Sequence, residues 1–120
     1  MLSIPHCRIV FTVKIVYTAI YERKVMAILT PSERDAAEND IASNPTLYPV
    51  IPGTGGIRKA RAVRGSRGKS GGARIIFYFW QSGDTIFMLT AYAKSDQKDL
   101  SANEKKQIMA LVKALKKEEG

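Results

Sequence analysis

The sequence predicts a small α+β domain built on an antiparallel sheet, and three features carry that expectation. Two capping boxes, Thr30 with Glu33 and Ser101 with Glu104, mark the starts of two helices. Between those helices three β-branched or aromatic runs follow one another across short turns, the arrangement of an antiparallel sheet. A chain of 120 residues, 45% hydrophobic and 25% charged, suits one soluble globular domain with one modest core.

Taken in order, residues 1–12 have little pattern and are set apart as an N-terminal extension or start-site artefact, with the domain proper at 13–120. "VKIVYTAIY" has the composition of an opening strand, and "IYERKVMAIL", from Ile20, that of a short, irregular helix. "TPSERDAAENDIASN" is a firmer helix: Thr30 caps it, Pro31 suits its first position, and Glu33 completes the box. "NPTLYPVIPGTGG", 44–56, holds three prolines and three glycines and reads as loop and turn. "IRKARAVR" is a strand that leads into a glycine-rich connection. "ARIIFYFW" is the next strand, "QSGD" a turn, and "TIFMLTAYAK" the last strand. In the closing segment, "SDQKDLSANEKKQIMALVKALKKEEG", Ile108, Leu111, Val112 and Leu115 fall on one helix face. The expected order is β-α-α-β-β-β-α.

The net charge of +8 is unevenly placed. Residues 58–74 carry seven of the nineteen cations and no acid, which leaves twelve cations against eleven acids elsewhere. Such asymmetry is the footprint of a polyanionic partner, most often nucleic acid. A single cysteine, Cys7, excludes an internal disulfide and a cysteine-based zinc site. A single histidine, His6, leaves little for metal ligation and excludes the usual Ser-His or Cys-His catalysis. No uncharged run reaches the ~18 residues that a membrane span needs. The N-terminus lacks an early basic region and is interrupted by Arg8 and Lys14, which argues against a signal peptide and for a cytoplasmic protein.

Within the basic window, "RGSRGKSGGAR" contains Gly68-Lys69-Ser70, the ending of a nucleotide-binding P-loop. The pattern fails: it needs a glycine where Val63 stands, and a helix after the loop where "GGARIIFYFW" reads as a strand. The segment is a strand-to-strand connection. Because side chains alternate across a strand, Lys59 and Arg61 share one face, and Arg58, Ala60, Ala62 and Arg64 the other. Paired in register, Lys59, Arg61 and Arg74 converge on one surface, flanked by Tyr92 and Lys94. Such a basic pocket with one phenol suits an RNA backbone and a stacked base. Against this, charge runs in loops are commonly solvated and hairpin glycines commonly serve turn geometry. A strand tyrosine such as Tyr92 is more often a core or rim aromatic, and "IIFYFW" is better read as sheet core than as a stacking platform. Arginine and lysine supply transition-state charge stabilisation, but the usual acid–base residues are missing from 58–74, so a lysine or tyrosine would have to move protons.

Several separated motifs agree in order and spacing with a known family. "VIPGTGGIRKARAVRGSRGKSGGARIIFYF" followed by "LTAYAKSDQKDLSANEKKQI" resembles the RelE/HigB superfamily of type II toxins, nearest the HigB-like branch, over about residues 13–117. The resemblance implies a RelE-like fold, with helices packed on one side of an antiparallel sheet and a concave basic face. It implies a toxin that enters the ribosomal A site and cuts mRNA there as a metal-independent endoribonuclease, without a cofactor, and that a HigA/RelB-like antitoxin neutralises. The family's strand cations fall on Lys59 and Arg61, its phosphate-stabilising arginine on Arg74, and its late-strand cation on Lys94. The acid–base position after the last strand departs from the family pattern, since the chain continues "SDQKDL" and Tyr92 precedes Lys94. Arg58, Arg64, Arg67 and Lys69 are the expected RNA-backbone contacts. The alternative is a basic module that binds RNA or the ribosome without cutting, held by an antitoxin.

Overall fold

The computed structural model describes residues 6–10, 13–65 and 72–119. Five strands form one sheet: β1 (His6–Val10), β2 (Val13–Tyr17), β3 (Ile57–Ala62), β4 (Ala73–Trp80) and β5 (Thr85–Ala93). Three α-helices are found among the described residues: α1 (Ala19–Ile28), α2 (Pro31–Ser43) and α3 (Ala102–Glu119). The α+β class and the expected element order hold from β2 onward, and His6–Val10 adds a strand where the sequence has little pattern.

The strand order is β1-β2-β5-β4-β3. Three of the pairings are antiparallel, β3–β4 and β4–β5 as expected and β1–β2 besides, but β2 and β5 run parallel. The antiparallel expectation came from short turns, and those govern only neighbours in sequence. β2 reaches β5 after both helices and two further strands, so no turn constrains its direction. β5 lies between β2 and β4, and all nine of its residues are buried.

The expectation of helices on one side is corrected by the two cores. On one face Tyr21 and Val25 of α1 and Ala37 and Ile41 of α2 pack with Ile15, Ile75, Phe77 and Met88. On the other, Ile108, Val112 and Leu115 of α3 pack with Val16, Ile76, Phe87 and Leu89. The reason is in the strands: β4 and β5 are apolar on both alternating faces, and one helical layer would leave Ile76, Phe87 and Leu89 in water. Burying each such side chain stabilises by about 1.5–3 kcal/mol.

Local chemistry sets the helix starts as expected. The Thr30 hydroxyl accepts from the Glu33 N–H at 3.1 Å while the Glu33 carboxylate accepts from the Thr30 N–H at 2.9 Å. Ser101 and Glu104 make the same reciprocal pair at 3.1 and 2.8 Å. Thr18 caps α1, accepting from the Tyr21 N–H at 3.0 Å, and donates to the Leu89 carbonyl at 3.0 Å, which fixes the helix to β5. The "GTGG" segment is the turn its composition indicates, with Gly53, Gly55 and Gly56 all at positive φ. Its buried Thr54 accepts from the Ile57 N–H at 3.2 Å and donates to the Ile51 carbonyl at 2.6 Å, folding residues 49–51 back on β3.

Candidate functional site

β3 is an edge strand, and among the described residues only its first half is paired on the outer side. Ile51 N–H donates to the Ile57 carbonyl at 2.7 Å, and Lys59 N–H to the Pro49 carbonyl at 3.1 Å. Past Lys59 the strand borders a cleft of about 710 Å³. One wall carries Lys59 and Arg61 from β3, Arg74 from β4 and Lys94 just after β5. Around the edge of β3, on the sheet face where α2 packs with Ala60 and Ala62, the lining continues with Ser32, Glu33, Ala36, Ala37 and Asp40. Tyr48, Pro49, Ala62 and Val63 complete the lining.

The strand register brings the cations together. Arg61 lies opposite Arg74, and Arg74 opposite Tyr92. Lys94 donates its backbone N–H to the Gly72 carbonyl at 2.9 Å, which extends the β4–β5 ladder to the cleft. Ala60 and Ala62 alternate with the cations onto the opposite face, where their small side chains let α2 pack close to β3. Arg74 is buried, 5% exposed, with its guanidinium donating to the Ala73 carbonyl at 3.2 Å. Arg61 is exposed, and Lys59 meets Asp99 at 3.6 Å. Four cations in one concave wall create a positive potential that a phosphate backbone relieves.

The other expected site residues are placed differently. Tyr92, 5% exposed, is not part of the cleft lining, and its hydroxyl approaches the Lys98 carbonyl only at 3.5 Å. Burial, helped by the nearby Asp99 charge and opposed by Arg74, pushes its phenol above the ordinary value, so it keeps its proton. Arg58 donates to the Tyr48 carbonyl at 2.6 Å and the Thr46 carbonyl at 3.3 Å, holding the preceding loop. Arg64 donates to the Ile28 carbonyl at 3.0 Å, at the C-terminal end of α1, where a cation suits the helix dipole. Arg67 and Lys69 lie outside the described residues.

Two cleft residues had no signal in the sequence: Asp40 on α2 and Tyr48 in the loop before β3. Burial, then the Asp40 charge, pushes the Tyr48 phenol above its ordinary value. Its ring meets Phe77 edge-on at 5.7 Å and 85°. Glu33 is committed elsewhere: besides the capping box, its carboxylate accepts from the Gly65 N–H, and these backbone donors hold its pKa below the usual range.

Among the described residues no group of three His, Cys, Asp or Glu is placed to hold a metal ion, and no helix is long and apolar enough to cross a membrane. What the cleft offers is charge stabilisation by guanidinium and ammonium groups, a protonated phenol and one exposed carboxylate. In comparison with known proteins, a family model described as "RelE toxin of RelE / RelB toxin-antitoxin system" matches residues 53–119, a stretch that supplies all four cations of the wall.

Proposed function

The chain belongs to the RelE toxin family, and from that premise we propose that it is the toxin of a toxin–antitoxin pair that halts translation by cutting mRNA in the ribosomal A site. The observation that carries this reading is the convergence of Lys59, Arg61, Arg74 and Lys94 on one cleft large enough for a nucleotide. Family membership implies an antitoxin partner. A HigA/RelB-like antitoxin neutralising the cleft, and a cytoplasmic location beside the ribosome, belong to the same proposal.

The chemistry is attack of a ribose 2′-oxygen on its own 3′-phosphorus. The P–O5′ bond breaks, leaving a 2′,3′-cyclic phosphate and a 5′-hydroxyl. Arg74 and Arg61 stabilise the extra negative charge on the phosphorane, and Lys94 and Lys59 add field and hold flanking phosphates. Moving the proton from the 2′-hydroxyl and delivering one to the leaving O5′ falls to a lysine of the cleft. Tyr92, buried and opposite Arg74 in the strand register, takes no part in the proton transfers.

Induced expression of the wild-type chain, with mapping of mRNA 5′ ends, tests the reading. New ends inside translated codons are expected, lost by about 10²- to 10³-fold in Arg74→Ala. Because Arg74 is buried, Arg61→Ala, at an exposed position, is run beside it. The displacement of Tyr92 from the cleft favours one competing reading, a module that binds without cutting. Growth arrest with no new ends would establish it in place of the nuclease.

A further inference from the structure

The second half of β3 presents main-chain groups as well as cations. Antiparallel strands turn the N–H and carbonyl of alternate residues to the same side. The Ile57 carbonyl and the Lys59 N–H point outward, to Ile51 and Pro49. Two residues on, Arg61 therefore turns its own N–H and carbonyl away from β4, and the Lys59 carbonyl faces the same way. None of these three groups meets a partner among the described residues. Open edges are where a further strand adds, and folded proteins usually blunt them. Residues 49–51 blunt the first half of β3: they lie along it in extended form, with Val50 bridged to Arg58. The second half stays open as far as Val63, which is 47% exposed.

The cleft of about 710 Å³ straddles this open edge instead of lying on one face of the sheet. The cations line it on one face, and Glu33, Ala36, Ala37 and Asp40 of α2 line it on the other. A strand laid along the edge would alternate its side chains between those two faces, as β3 does. The residue opposite Arg61 would point at the cations. The residues before and after it would point to the α2 side, where the alanine methyls leave room for an apolar side chain. The Glu33 and Asp40 carboxylates on that side repel an acid.

We infer that the open half of β3 is a strand-addition site: it takes an extended segment of a protein partner, antiparallel, with an acidic residue opposite Arg61 and apolar residues on either side of it. This rests on the proposal that an antitoxin neutralises the cleft, and the occupant is that antitoxin's neutralising segment. Main-chain hydrogen bonds to Arg61 give such a strand its affinity, and its alternate side chains give it specificity. The pattern is more demanding than negative charge. An unbroken acidic run meets the cations but sets carboxylates against Glu33 and Asp40. An apolar strand suits the α2 side and leaves the cations without a counter-charge. A phosphate meets the cations but cannot donate to the Arg61 carbonyl.

The test is an NMR titration of the purified full chain with two short peptides of equal composition. In one, valine and glutamate alternate; in the other, the glutamates form one block and the valines another. The alternating peptide is expected to bind about 10-fold tighter and to slow exchange of the Arg61 amide proton by about 10-fold or more. Arg61→Ala and Arg61→Pro are compared next. Both remove the cation, but proline also removes the outward N–H, a change that edge strands tolerate. Arg61→Pro should bind the alternating peptide about 5-fold more weakly than Arg61→Ala, the effect of one hydrogen bond. Equal binding of the two peptides, or an Arg61 amide that the alternating one leaves unprotected, would overturn the site. So would an RNA oligonucleotide that protects this amide as strongly as the peptide does. If Arg61→Pro does not fold, amide exchange in the wild type decides alone. Cleavage enters none of these readouts: a chain that cuts no mRNA yet takes the alternating strand keeps the site and loses the nuclease reading, whereas a nuclease that takes no strand loses only the site.

Discussion

Arg34 and Arg74 are both largely buried guanidinium groups in the same small domain, and they are surrounded by opposite chemistry. Arg34 donates to Glu38 at 2.8 Å and pairs with Glu22, while its guanidinium lies over the rings of Tyr17 and Tyr21 at 5.4 and 5.3 Å. The Tyr21 hydroxyl donates to the same Glu38 oxygen at 2.6 Å. Burial, reinforced by the Glu38 charge, pushes the Tyr21 phenol far above its ordinary value, so the donor persists at any physiological pH. Arg74, by contrast, has Arg61 and Tyr92 as its cross-strand neighbours and shares its cleft with Lys59 and Lys94. In the first cluster two carboxylates balance the guanidinium, so it ties α1 to α2 and asks nothing of the solvent. In the second, the neighbours that share the cleft are mostly of the same sign, and Asp99 meets only Lys59, at 3.6 Å. Burial and charge alone do not separate a structural arginine from a functional one; the sign of the neighbours does.

The sharpest way to break this contrast is to remove the balancing charge. Glu38 has 2% side-chain exposure, and Glu38→Ala leaves the Tyr21 hydroxyl without its acceptor and Arg34 with only Glu22. A loss of about 3 kcal/mol in folding stability is expected, as for other buried pairs cut on one side, measured by urea unfolding. RNA affinity of the folded fraction should stay within about 2-fold, since Glu38 does not line the cleft. A variant that unfolds no more easily but binds RNA poorly would reverse the roles given to the two clusters.

A smaller effect is expected on the other side of the comparison. Arg61 is exposed, and Arg61→Ala should leave stability within about 0.5 kcal/mol. Removing a like charge beside Arg74 gives it no reason to unfold. RNA affinity should fall, and the slope of log affinity against log salt should flatten by about one contact. The salt titration is the informative readout, because a structural arginine would not change it.

How much of this could be read beforehand follows the reach of each interaction. The capping boxes at Thr30 and Ser101 are legible because both partners lie three residues apart. The convergence of Lys59, Arg61 and Arg74 is legible because strand alternation and one hairpin fix it. The parallel pairing of β2 with β5 and the side taken by α3 depend on long-range packing, and an apolar helix face does not say which sheet face it meets. Arg58 and Arg64 sit in a run of cations and read as RNA contacts; that they also donate to the carbonyls of Tyr48 and Ile28 was not legible, because a carbonyl leaves no mark in a sequence. Asp40 and Tyr48 come from a helix and a loop that meet only in the folded cleft, so neither could be assigned to it.

The smallest expected effect probes Asp99, the acid that meets Lys59 of the basic wall. Asp99 meets Lys59 at 3.6 Å, with the two side chains 54% and 30% exposed, so solvent screening limits the pair to well under about 1 kcal/mol. The Leu100 N–H first, and then the Lys59 charge, hold the Asp99 carboxyl below the ordinary aspartate value of 3.8. A depressed carboxyl stabilises the fold above that ordinary value and loses its contribution as pH falls through the lower folded one. The wild type should therefore show this increment unchanged at neutral pH and lose it only below about pH 4. Asp99→Asn removes the charge at neutral pH while its amide oxygen still accepts from the Leu100 N–H, which isolates the ion pair from the turn. RNA affinity should then rise by about 2-fold, because Lys59 no longer divides its field between Asp99 and a phosphate. An unchanged affinity would mean that Lys59 lies outside the RNA path, and would reduce the basic wall to Arg61, Arg74 and Lys94.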